Sequence, residues 1–81
     1  MRDGPLGNRL REERTRLGLT QADLARMVGV SRKTINTVEN RVFIPSAVLT
    51  LRLARVLGVR VEALFYLTGE DEPEAIAGGA P

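Results

Sequence analysis

Arg32, Lys33, Asn36 and Thr37 stand one, three and four residues apart, spacings that put all four on one outward face of a helix. Each can reach a base edge. Arginine bridges guanine O6 and N7, asparagine bridges adenine N6 and N7, and threonine contacts the thymine methyl. No acid interrupts the set before Glu39, whereas an ordinary solvated helix face mixes both signs. The pattern points to readout of duplex DNA. Catalysis has little to draw on, because the chain holds no cysteine and no histidine. Thiolate zinc sites, imidazole bases and Cys–His or Ser–His nucleophile pairs are excluded, and scattered carboxylates alone form no catalytic set. The expectation is a protein that is not an enzyme and uses no metal or cofactor.

Eighty-one residues leave room for one domain. Its core must come from aliphatics, since 43% of the residues are hydrophobic but only three are aromatic and none is tryptophan. No apolar run approaches the ~20 residues that span a bilayer, and no secretory segment follows Met1. The expected setting is a reduced bacterial cytoplasm without membrane contact, with nucleoid association when DNA is bound. A net charge of +2 hides an asymmetry: residues 8–67 carry eleven Arg or Lys against five acids, while Glu70, Asp71, Glu72 and Glu74 follow with no base. A basic body suits a polyanion partner without specifying a site.

The elements that must position these residues read as five helices, with no strand-type alternation. Residues 1–7, with two glycines and a proline, read as a flexible arm, residues 8–67 as the domain and residues 68–81 as an acidic disordered tail. The first helix covers about Asn8–Leu17, with Leu10 and Leu17 inward. The second covers about Gln21–Val28, with Thr20 as N-cap, Asp23 in the capping-box slot and Gly29 as its stop. Ser31 caps the third, which runs to about Asn40 with Ile35, Val38 and Val42 inward. Pro45 breaks the chain, Ser46 opens the fourth helix to about Leu57, and Gly58 stops it. The fifth is expected over about Val61–Leu67, poorly capped by Arg60.

Gln21, Ala25, Gly29 and Ile35 carry the most information. Two short helices joined by a tight turn cross steeply and need a small residue at closest approach, which Ala25 supplies. Gly29 tolerates the positive φ of the turn, and Ile35 anchors the second helix with Leu24, Val28 and Val30. Together these offsets specify a helix-turn-helix. Residues 8–67 resemble the helix-turn-helix family of the lambdoid phage repressors and Cro proteins, the xenobiotic-response-element type. The matching stretches are Leu19–Ala25, Gly29–Ile35, Val38–Asn40, Pro45–Ser46 and Leu53–Val59, and the ending Glu62-Ala63-Leu64-Phe65 resembles the small stand-alone bacterial regulators.

The resemblance implies an all-α, compact five-helix, lambda-repressor-like domain whose third helix enters the major groove. It assigns Arg32, Lys33, Asn36 and Thr37 to base reading and Gln21, Ser31, Asn40 and Arg41 to the DNA backbone, with arginine at 41 where the family usually has glycine. It also has an ion pair at positions matching Arg14 and Glu39. That pair agrees with the residue pattern, since both charges fall on inward faces where only a paired charge is tolerable. Surplus apolar residues suggest a homodimer interface of Val48, Val56, Val61, Phe65, Tyr66 and Leu67. Such a dimer would set two reading helices roughly 34 Å apart and select an inverted-repeat operator. The function expected is a sequence-specific transcriptional regulator, a repressor by resemblance. The alternative is an antitoxin-like module whose main task is binding a partner protein. RNA binding is disfavoured, because no aromatic stacking platform is visible.

Overall fold

The computed structural model describes residues 5–68. Their elements are β1 (Leu6–Asn8), α1 (Leu10–Arg16), α2 (Gln21–Val28), α3 (Arg32–Glu39), α4 (Ala47–Leu57), α5 (Val61–Leu64) and β2 (Phe65–Leu67). The helix boundaries follow from local chemistry. The Thr20 hydroxyl accepts from the Asp23 amide and the Asp23 carboxylate accepts from the Thr20 amide, each at 2.9 Å, completing a capping box on α2. Ser31 accepts from the Thr34 amide and Ser46 from the Leu49 amide, each at 3.1 Å, so α3 and α4 start on side-chain caps. Gly29 ends α2 at φ 78°, which lets the Val30 amide turn back onto the Ala25 carbonyl at 3.0 Å.

All five helices and β2 contribute to one core. Leu10 of α1 meets Leu24, Ala25 and Val28 of α2, Ile35 and Val38 of α3, Leu49, Leu53, Ala54 and Leu57 of α4, then Leu64 and Phe65. Ala25 of α2 is buried in this core, where a small side chain is what the space between packed helices admits. Fully burying one leucine of this set contributes about 1.5–3 kcal/mol, and a small domain depends on several of them.

The chain ends depart from the sequence-based expectation. Residues 6 and 7 are not part of a loose arm: β1 pairs antiparallel with β2, Leu6 opposite Leu67, Gly7 opposite Tyr66 and Asn8 opposite Phe65. Hydrogen bonds of 2.9 Å from the Arg9 amide to the Leu64 carbonyl and from the Thr68 amide to the Pro5 carbonyl extend the pairing. A Cβ at Gly7 would press on the outer edge of the Tyr66 ring, so glycine lets that ring lie over the strand. The fifth helix therefore stops at Leu64 rather than Leu67. Arg60 offers it no side-chain cap, and extended backbone turns Phe65 into the core and Tyr66 outward. Thr68 belongs to this paired end, while residues 1–4 and 69–81, which held the rest of the expected arm and tail, lie outside the described residues.

Two further residues expected inside are exposed. Leu17 is 43% exposed because α1 ends at Arg16, and Val42 is 77% exposed because Arg41, at φ 63°, turns the chain off the helical path. Phe65, expected at a dimer surface, is only 7% exposed and packs in the core. Val56 and Val61 also lean against the core, which leaves Val48, Tyr66 and Leu67 as the exposed part of that expected set.

One buried charge joins three helices. The Glu39 side chain has no solvent exposure. Its carboxylate accepts from Arg14 Nε at 2.7 Å and Nη2 at 3.2 Å, from Gln21 Nε2 at 3.0 Å and, more weakly, from Arg11 Nε at 3.4 Å. Arg14 also donates Nη1 to the Leu19 carbonyl at 2.9 Å, which fixes the guanidinium plane. Burial alone would raise the Glu39 pKa. Hydrogen bonds from Arg14 and Gln21, with the Arg14 charge, outweigh it and hold the carboxyl below the ordinary glutamate range.

Glu39→Ala should lose about 3–5 kcal/mol of stability by leaving Arg14 buried without its partner. The Arg14→Ala, Glu39→Ala double variant should lose less than the sum of the two singles, read by denaturant melts. Because the folded-state pKa of Glu39 lies below its unfolded value, its contribution is present above the ordinary glutamate pKa and is lost as pH falls through the folded value. Asp23, whose carboxyl is lowered chiefly by the Thr20 amide, acts in the same direction. Melting temperature against pH should therefore fall on the acid side, with a shallower fall in Glu39→Gln.

Candidate nucleic-acid interface

The base-facing candidates come from one short helix. Ile35 and Val38 fasten α3 to the core, and this leaves Arg32, Lys33 and Asn36 exposed and Thr37 half-buried. Among the described residues neither Arg32 nor Lys33 has an ion-pair partner, and Asn36 spends no side-chain hydrogen bond inside the protein. Thr37 is more committed, since its hydroxyl donates to the Thr34 carbonyl at 3.0 Å. The single acid of α3 is the buried Glu39, so the outward face of the helix carries positive charge alone.

The candidates for the DNA backbone occupy both ends of this helix. At its start, a shallow hollow is lined by Arg14, Thr15, Gly18, Leu19, Thr20, Gln21, Ala22 and Arg32. Gln21 is the first residue of α2, whose free amides and dipole favour an anion. One hydrogen of its side-chain amide is taken by Glu39, and the second remains available because the NH2 group has two donors. Ser31 is largely spent on capping, its hydroxyl lying 3.1 Å from the Thr34 amide and 3.0 Å from Thr34 Oγ1.

At the far end, Asn40 donates to the Asn36 carbonyl at 2.9 Å and accepts from Arg11 Nη2 at 3.4 Å. Arg41 adopts the left-handed backbone that glycine favours, at a cost of roughly 1–2 kcal/mol for a residue with a Cβ. The structure thus brings Gln21, Arg14 and Arg32 to one hollow, and Gln21 and Arg14 also bond Glu39, the chain neighbour of Asn40.

Sequence reasoning missed two positioning residues. Arg11 bonds both Glu39 and Asn40, and Asn8 donates to the Val38 carbonyl at 2.9 Å while its oxygen accepts from the Leu10 amide at 3.0 Å. The signal for Arg11 was its place three residues before Arg14, one turn away on the same face of α1. Asn8 reads as the first residue of the first helix, and nothing in its type marks the bond to Val38.

A Helix-turn-helix family model matches residues 10–64, spanning α1 to α5. An HTH-type transcriptional regulator of Archaeoglobus fulgidus is 43% identical over 63 residues, covering 78% of this chain and 90% of that one. The HTH-type transcriptional regulator YgzD of Bacillus subtilis is 33% identical over 64 residues, covering 79% and 97%. Among solved structures, the restriction-modification controller protein C.AhdI of Aeromonas hydrophila aligns with a TM-score of 0.65 at 38% identity, covering 68% of this chain and 83% of that one. The P22 c2 repressor, solved in complex with a synthetic operator, aligns with a TM-score of 0.65 at 33% identity, covering 67% and 82%. With its capped α2, its glycine turn and the exposed cationic face of α3, the chain belongs to the helix-turn-helix family of DNA-binding transcriptional regulators, of the Cro/C1 type, and is not an enzyme.

Proposed function

We propose that this regulator acts as a sequence-specific repressor, a homodimer that inserts α3 into the major groove of an inverted-repeat operator. The observation that carries this reading is the face of α3, where Arg32, Lys33 and Asn36 are exposed and uncommitted while the only acid is turned inward. Arg32, Lys33, Asn36 and Thr37 read bases. Gln21 with the start of α2, Ser31, Asn40 and Arg41 hold the phosphate backbone at the two ends of the reading helix. Glu39 fixes the register between these sets, because it bonds Gln21 directly and belongs to α3 itself.

Assembly uses the exposed apolar residues left over by the core. Val48, Tyr66 and Leu67, all exposed, form the contact between copies, and the partly buried Val56 and Val61 contribute what they leave uncovered. A two-fold arrangement then spaces two reading helices by roughly 34 Å, one turn of B-DNA. No helix among the described residues is long and apolar enough to cross a membrane, which is compatible with a cytoplasmic regulator.

Selection of bound fragments from a random duplex library should recover an inverted repeat, and unrelated fragments would refute sequence-specific reading. On the recovered operator, Arg32→Ala should cost about 1–3 kcal/mol and relax the preference at one base pair. Gln21→Ala should weaken operator and scrambled duplex alike. Equal losses on both duplexes for Arg32→Ala would remove it from the base readers. Sedimentation at micromolar concentration should show a dimer, and Leu67→Asp should return it to a monomer that keeps its folded spectrum.

A further inference from the structure

α4 carries a stripe that neither the core nor the reading face uses. Val48, Leu51, Arg52 and Arg55 follow helical spacing and line one shallow concavity. Val48 and Leu51 are 58% and 60% exposed, and among the described residues Arg52 and Arg55 have no ion-pair partner. An apolar floor edged by two uncompensated guanidiniums fits an acidic segment that carries an isolated aliphatic side chain. Residues 69–81 of this chain have that chemistry: Glu70, Asp71, Glu72 and Glu74 without a base, then Ile76 as the one large aliphatic.

Length and attachment agree with the charge. The segment continues from Thr68, whose amide is held by the Pro5 carbonyl. Ile76 is the eighth residue after Thr68, a reach of roughly 26–29 Å when extended, whereas the 11 residues of α4 span only about 16 Å. α5, which leads into β2 and Thr68, packs on α4, and the Val59 amide bonds the Ala54 carbonyl at 3.1 Å. Alternate residues of an extended chain lie about 6.6–6.8 Å apart on one side, close to the ~5–6 Å between neighbours on a helix face. Glu74 and Ile76 can therefore address Arg55 and Leu51 together. The outward face of α3 is cationic too, but its own residues there, Arg32, Lys33, Asn36 and Thr37, are all polar, and the exposed apolar residues nearby lie in the loop beyond it.

We propose that residues 69–81 dock on α4 of their own molecule, with Ile76 on Val48 and Leu51 and the acids of 70–74 against Arg52 and Arg55. Val48 also belongs to the surface assigned above to dimer contact, so the docked segment and a second copy exclude one another. That consequence alone rests on the dimer reading; the docking does not.

Because the sequence has no cysteine, Gly78→Cys gives the full chain a single site for a nitroxide label, whose broadening of backbone amide signals reports proximity. The expected result is broadening centred on residues 48–55, reduced in Ile76→Ser and lost when Arg52→Glu and Arg55→Glu are combined in a chain that keeps its folded spectrum. A maximum over residues 32–37 would make the reading face the acceptor and overturn the proposal. So would broadening that is not localised, or that survives the double charge reversal. Broadening passed to unlabelled copies in a mixture would assign the concavity to a second molecule instead. None of these readouts involves DNA, so the docking can fail while the operator reading stands, and the reverse.

Discussion

A carboxylate without solvent must be surrounded by donors or it will not stay charged, and Glu39 is surrounded from two other helices. Arg14 and Arg11 approach from α1 and Gln21 from the first position of α2. The consequence is geometric. α3 is only eight residues long, and hydrophobic contacts of Ile35 and Val38 alone would leave it free to rotate slightly about its axis. Directed hydrogen bonds at its last residue remove that freedom. They also tie the angle of the helix to the hollow beside α2, since Gln21 is both a donor to Glu39 and a lining residue of that hollow. The same interaction purifies the charge of the outer face, because the one acid on the helix is consumed inside.

The rest of the architecture compensates for a core with few large rings. Leucine, isoleucine, valine and alanine fill it, and Phe65 is its only aromatic. The two short strands close the open end: β1 precedes α1, β2 follows α5, and pairing them holds both ends of the described chain together. Asn8 then passes the constraint onward, with one amide group bonded both to the start of α1 and to the last turn of α3. The Arg9 guanidinium sits 5.2 Å from the centre of the Tyr66 ring, a cation–π contact on the exposed side of the sheet.

What the sequence revealed was local or motif-borne. Thr20 with Asp23, Gly29, Ser31, Ser46 and Gly58 mark boundaries through bonds that span only a few residues, and the observed ends agree with them. The small inward residue Ala25 was legible for the same reason. The two strands were not, because three residues carry no period and their pairing joins positions almost sixty residues apart. Leu17 and Val42 show the complementary failure. Each continued an inward pattern past the end of a helix, and a periodicity argument cannot see the residue at which the helix stops. Of the candidate interface, residue types and their shared face were readable in advance. The hydrogen bond that commits Gln21 to Glu39 and the double use of Arg11 were not, since they depend on how α1 and α2 pack around the end of α3.

The arginines divide by what they face, and this division says more than the net charge. Arg11 and Arg14 are spent on Glu39, Arg16 lies 2.8 Å from Glu13 and donates to the Leu57 carbonyl at 3.3 Å, and Arg26 lies 2.9 Å from Asp23. These cations build or brace the fold. Arg32 and Lys33 stand apart, without acids among the described residues, and so do Arg52 and Arg55 on another helix. At physiological ionic strength a surface charge is felt over only about 8 Å, so a polyanion responds to the unpaired cations it can approach and not to the total. A basic composition becomes a binding surface only where folding has withheld the acids, and in this chain the fold withholds them on α3 by burying Glu39.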